Sequence, residues 1–75
     1  MGATVVEFQP IRLEIEREED GRMLASVLGL PGVMAYGDTT EEALRKVKSI
    51  ALRVLADMIE SGEELPEHLN MLFAV

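Results

Sequence analysis

The sequence contains no cysteine and no tryptophan, and its aromatic residues are one tyrosine and two phenylalanines. Without cysteine, disulfide bonds and thiolate metal sites are excluded, and these are the usual supports of small secreted domains. Basic residues are also few, because 7 Lys and Arg stand against 14 Asp and Glu, for a net charge of −7. A phosphate backbone repels such a chain, so we expect no direct nucleic-acid binding.

Long apolar runs are missing as well. No stretch approaches the ~20 apolar residues of a transmembrane helix, and residues 1–10 have neither the basic start nor the apolar middle of a signal peptide. We therefore expect no membrane association and a cytoplasmic location.

The length of 75 residues and an apolar content of 48% predict one small folded domain over residues 1–75. Residues 1–10 are interpreted as an N-terminal extension and 11–75 as the core, with no C-terminal DNA-binding domain. A domain of this size is marginal alone. We therefore expect a homo-oligomer, either a dimer or a tetramer.

Apolar and charged residues alternate from Ile11 to Glu16, which predicts a half-buried strand with a charged outer face. The Asp20-Gly21 pair then indicates a hairpin turn. Residues 22–28 predict a second strand that is apolar on both faces. After the turn at 29–32, residues 33–36 predict a short third strand.

A helix is predicted from Thr40 to about Ser61. Thr39 and Glu42 have the spacing of a capping box, and Gly62 and Pro66 end the segment. Nine apolar residues form one stripe along it: Ala43, Leu44, Val47, Ile50, Ala51, Val54, Leu55, Met58 and Ile59. From Leu69 to Val75 the alternation predicts a C-terminal strand.

The resulting fold class is α+β, with the order β-β-β-α-β and one long amphipathic helix on a three- or four-stranded, mostly antiparallel sheet. One helix covers only one face of such a sheet. Apolar residues on the other face are therefore expected to contact another subunit. The predicted oligomer contacts are Leu24, Leu28, Met34 and Tyr36.

Catalytic machinery is scarce in this sequence. It has no GxxxxGK or HExxH motif, and its only histidine, His68, is expected to be a surface or structural residue in a loop. We predict no enzyme activity, no catalytic residue, no metal ligand and no cofactor. The alternative of a metal-dependent nuclease would require several carboxylates to converge on one pocket. Asp38 is interpreted as a turn or capping residue rather than as a metal ligand.

Acidic residues are concentrated in the first strand and the hairpin loop. This placement suits the docking of a basic protein by charge complementarity, although a plain solvated surface is the simpler alternative. The predicted partner-binding residues are Glu14, Glu16, Glu18, Glu19 and Asp20.

Two segments, residues 23–33 and 36–44, together resemble the HicB-like antitoxin family. That family has an A-x-V-x-x-L-P-G strand and turn, followed by G-D-T-x-x-E-A at the start of a long helix. With the strand and helix around them, the likeness spans about residues 11–65. The matching residues are Ala25, Val27, Leu30, Pro31, Gly32, Gly37, Asp38, Thr39, Glu42 and Ala43.

The resemblance implies a partial RNase H-like fold and the role of antitoxin in a type II toxin–antitoxin system. The toxin of such a pair is a small basic RNA-cleaving protein, here of the HicA-like kind. The matching residues serve as turn, cap and packing positions, so no catalytic role is implied for them. The alternative is a stand-alone homo-oligomeric module, regulatory or ligand-binding, without a toxin.

Overall fold

The computed structural model describes residues 11–70, apart from the side chain of His68. Three strands form an antiparallel sheet in the order β1-β2-β3, and a long helix follows them. This arrangement confirms the predicted α+β class. The elements are β1 Leu13–Arg17, β2 Met23–Val27, β3 Met34–Gly37, α1 Thr40–Glu60 and α2 Glu67–Asn70.

The strand register places alternate rows of side chains on opposite faces of the sheet. The row Ile15–Ala25–Ala35 lies on the helix side, where Ala25 and Ala35 are buried. Because side chains alternate along each strand, the neighbouring row lies on the opposite face. Helix α1 packs mainly against β2 and β3.

The core lies between the sheet and α1. Within residues 11–70 it contains no buried polar or charged side chain, so apolar packing holds the two layers together. Its buried members are Ala25, Val27, Leu30, Val33, Ala35, Ala43, Val47, Ala51, Leu55 and Leu69.

The turn that joins β2 to β3 is built on Pro31 and Gly32. Val33 N–H donates to the Leu30 carbonyl over 3.1 Å, and Gly32 has a φ of 83°. A proline at the second position and a positive φ at the third position are typical of a type II turn. The turn directs the buried Leu30 side chain into the core.

Both ends of α1 follow the predicted capping signals. The Thr39 hydroxyl accepts a hydrogen bond from the Glu42 N–H over 3.1 Å. The Glu42 carboxylate accepts one from the Asp38 N–H at 3.2 Å rather than from Thr39. At the other end, the N–H groups of Gly62 and Glu63 donate to carbonyls of the last turn at 3.2 and 2.9 Å.

Glu42 also binds Lys46, whose Nζ lies 3.1 Å from its Oε1. The hydrogen bonds from Lys46 and from the Asp38 N–H lower the pKa of the Glu42 carboxyl. A lowered pKa in the folded state stabilises the fold above the usual carboxyl range, and this contribution disappears as pH falls through the lowered pKa.

Glu42→Gln is therefore expected to make stability less dependent on pH below about 5, because the titrating group is removed. Urea unfolding followed by circular dichroism at a series of pH values measures this slope. Glu41→Gln is the matched control, since Glu41 lies in the same helical turn and forms no ion pair within residues 11–70. An equal change of slope in both variants would contradict the assignment.

Gly37 lies where β3 meets the start of α1. A Cβ atom on Gly37 would stand 2.4 Å from the Ala43 backbone nitrogen and 2.9 Å from its Cα. Glycine is therefore required for close approach of strand and helix, and the fully buried Ala43 fits the same contact.

Three predictions about the helical regions were wrong. Leu69 and Asn70 lie in α2 rather than in a C-terminal strand; residues 71–75, the rest of that predicted strand, lie outside the described residues. His68 also lies in α2 rather than in a loop. Ile59 belongs to the apolar stripe of the helix that is predicted to pack on the sheet, but it is 51% exposed.

Candidate functional site

The sheet face opposite α1 is the candidate functional surface, because no element within residues 11–70 covers it. Leu28, Met34 and Tyr36 are between 42% and 47% exposed, and Leu24 is half-buried. These are the four predicted oligomer contacts, and all four lie on this face. The open sheet face, as we call it, consists of Glu14, Glu16, Leu24, Ser26, Met34 and Tyr36, together with the exposed Leu28, which follows β2 and whose N–H donates to the Arg12 carbonyl.

The character of the open sheet face changes across the strands. One row runs Glu16–Leu24–Tyr36 and the next Glu14–Ser26–Met34, both from β1 to β3. Adjacent strands lie about 4.8 Å apart, so each carboxylate is roughly 10 Å from the apolar residue at the far end of its row. The face is therefore acidic along β1 and apolar along β3.

Arg22 links the hairpin loop to this face. Its guanidinium lies 4.3 Å from the centre of the Tyr36 ring, within cation–π range. The Arg22 Nε donates to Asp20 Oδ2 over 2.7 Å, and the Arg22 backbone N–H donates to Oδ1 over 3.0 Å. These hydrogen bonds, the backbone one first, lower the pKa of the Asp20 carboxyl.

The structure brings the predicted acidic residues together along one side of the molecule. Glu14 and Glu16 lie on the open sheet face, and Glu18 and Glu19 continue into the hairpin loop. A shallow depression of about 400 Å³ lies at the loop end, lined by Glu18, Glu19, Asp20, Arg22 and Tyr36. Asp20 differs from the others because its charge is already paired with Arg22.

Sequence reasoning missed the contacts of Arg22. Arg22 immediately precedes β2, and Met23 pairs with Gly37, so Arg22 and Tyr36 are diagonal neighbours across β2 and β3. This proximity depends on the β2–β3 register, which local patterns leave undetermined. The only local signal was the two-residue spacing of Asp20 and Arg22.

No cluster of three or more His, Asp or Glu residues that could hold a metal ion occurs within 11–70.

None of the helices in the described part of the chain has the length and apolar character needed to cross a membrane.

Comparison with known proteins identifies no relative: no protein-family model, curated protein or solved structure matches the chain.

Proposed function

We propose that this protein is a non-enzymatic antitoxin domain of the cytoplasm, which binds and inhibits a small basic RNA-cleaving toxin through the open sheet face. One observation carries the proposal: exposed Leu28, Met34 and Tyr36 lie on the same sheet face as Glu14 and Glu16. The resemblance of residues 11–65 to HicB-like antitoxins supplies the class of partner.

The two halves of the open sheet face have different tasks in this proposal. Burial of Met34 and Tyr36 against the partner supplies binding free energy, since apolar and aromatic contacts at the centre of an interface dominate affinity. The carboxylates on β1 attract a basic surface from a distance and orient it as it docks.

Inhibition follows from competition for positive charge. An RNA-cleaving protein holds its substrate with Lys and Arg on phosphate oxygens. Glu14, Glu16, Glu18 and Glu19 present carboxylates to the same basic groups. A bound antitoxin would therefore occupy the RNA-binding surface without performing any reaction.

The proposal predicts a short basic reading frame beside this gene, and co-expression of the two proteins is the direct test. We expect the basic protein alone to arrest growth and cleave RNA, and the pair to grow normally and to purify as one complex. Complex formation should weaken as salt rises from about 50 to about 500 mM, because the charges are screened. A basic neighbour that is harmless alone, or that stays toxic beside this protein, would contradict the proposal.

The second candidate is a stand-alone homo-oligomer, and the exposed Leu28, Met34 and Tyr36 favour it because a second copy could cover them. Charge repulsion argues against a homo-oligomer formed through the open sheet face. Stacking two such faces would bring Glu14 and Glu16 of both copies into one interface, where like charges repel. A partner of opposite charge fits this face better than a second copy.

A further inference from the structure

A second exposed apolar surface lies on α1, away from the open sheet face. Leu52 is 64% and Ile59 51% exposed, the two highest values among exposed large apolar side chains within residues 11–70. Since seven residues are close to two helical turns, Leu52 and Ile59 lie on the same side of α1. The exposed Ala56 lies between them, and we call Leu52, Ala56 and Ile59 the helix ridge.

The helix ridge adjoins an apolar groove beside β1. Ile11, Leu13, Lys48, Ala51 and Leu52 line this groove, whose volume is about 260 Å³. Its apolar surface is continuous with the ridge through Leu52. The ridge is therefore part of a wider apolar area on this side of the molecule.

Each large apolar residue of the ridge is followed by a charged residue, and the two charged residues have opposite signs. Arg53 follows Leu52 and Glu60 follows Ile59, and both charged side chains are exposed. Neither makes an ion pair with any residue between 11 and 70. Their separation of about 10 Å along the helix axis leaves them free to pair with another molecule.

We propose that the helix ridge binds a second copy of this chain, with the two α1 helices antiparallel about a two-fold axis beside Ala56. In that arrangement Leu52 of one copy meets Ile59 of the other. The same symmetry places Arg53 of each copy beside Glu60 of the other, so both apolar contacts and both charge pairs are formed twice. The small Ala56 side chain lets the two helices approach at the axis.

The charge distribution along α1 favours the antiparallel arrangement of the two helices over the parallel one. A parallel pair would place Arg53 against Arg53 and Glu60 against Glu60. The last turn of α1 contains no basic residue, although the negative end of a helix is stabilised by cations. An antiparallel neighbour brings the basic half, with Arg45 and Lys48, toward that end. The inference is independent of the toxin partner because the open sheet face stays free.

A charge-reversal cycle on the full chain tests the proposal, with the dissociation constant of the dimer measured by sedimentation equilibrium. Arg53→Glu and Glu60→Arg should each weaken dimerisation about tenfold, since each reversal turns two attractive pairs into repulsive ones. The double variant should return to within about threefold of the original value. Because residues 53 and 60 do not contact each other within one chain, such rescue must occur between chains.

Two further variants distinguish this interface from others. Leu52→Asp should abolish the dimer, whereas Met34→Asp, on the open sheet face, should leave it unchanged. A monomer at all concentrations would overturn the proposal, as would dissociation by Met34→Asp alone. If Leu52→Asp does not fold, the charge-reversal cycle decides the proposal on its own. Since Arg53 and Glu60 are exposed, failure of the double variant to rescue would also overturn it.

Discussion

Replacing Gly37 by alanine is expected to lower the free energy of unfolding by about 3 kcal/mol or more, a large fraction of the stability of so small a domain. The added Cβ would stand 2.4 Å from the Ala43 backbone nitrogen, well inside van der Waals contact. The obstructing atoms belong to the backbone at the start of α1, so no side-chain rotation relieves the overlap. Strand and helix must separate, which weakens the packing of Ala43 against the sheet.

Urea unfolding, followed by circular dichroism, measures this effect. Gly62→Ala is the matched control, because its Cβ meets nothing within 4 Å and the cost is only that of a φ of 80°, about 1–2 kcal/mol. The double variant Gly37→Ala with Ala43→Gly should not recover stability, since removing the Ala43 methyl leaves the obstructing backbone in place. Recovery in the double variant would show that side-chain crowding, rather than backbone contact, requires the glycine.

Met34→Glu is expected to weaken binding of the proposed basic toxin by at least about 100-fold, with little effect on folding. Met34 is 47% exposed at the apolar end of the row Glu14–Ser26–Met34. In the proposed complex its side chain is buried, so a carboxylate there would lose its hydration at the centre of the interface. The added negative charge would raise the long-range attraction and still reduce affinity.

Thr40→Glu serves as the control for charge alone. It adds the same carboxylate at an exposed position in the first turn of α1, away from the open sheet face, where a helix favours negative charge. Isothermal titration calorimetry with the toxin should show near-normal affinity for Thr40→Glu. Equal loss in both variants would exclude an interface on the open sheet face, while normal binding by Met34→Glu would place the toxin elsewhere.

Much of the fold was predictable because local patterns and tertiary packing agree. Alternation placed Leu13, Ile15, Ala25 and Val27 on one face of the sheet, and the structure confirms this. The helix ends were predictable because their capping groups lie within four residues of each other.

The errors concern places where the local pattern is short or drifts. Leu69 and Asn70 were read as a strand, but their N–H groups donate to the Pro66 carbonyl over 2.9 and 3.0 Å, and a single helical turn has too few residues to show its period. Along α1 each four-residue step turns about 40° beyond a full circle. Ala51, Leu55 and Ile59 are accordingly 4%, 6% and 51% exposed as the series rotates away from the sheet.

Part of the candidate site was also predictable from local patterns. The open sheet face followed from two-residue alternation, which assigns Leu24 and Tyr36 to the side away from α1. The pairing of Arg22 with Asp20 and Tyr36 did not follow, because it requires the register of β2 against β3. Sequence patterns thus indicate which residues share a face, and tertiary structure decides which charges remain unpaired.

The placement of α1 has a consequence for local unfolding. Because α1 packs mainly against β2 and β3, the contacts of β1 within residues 11–70 are chiefly its ladder with β2 and the packing of the half-buried Leu13 and Ile15. Amide protons of β1 should therefore exchange with solvent before those of the inner strand. In the proposed complex, Glu14 and Glu16 lie on the strand that α1 covers least among the three described strands. Binding of the partner there would reduce local unfolding of β1 and have little effect on α1.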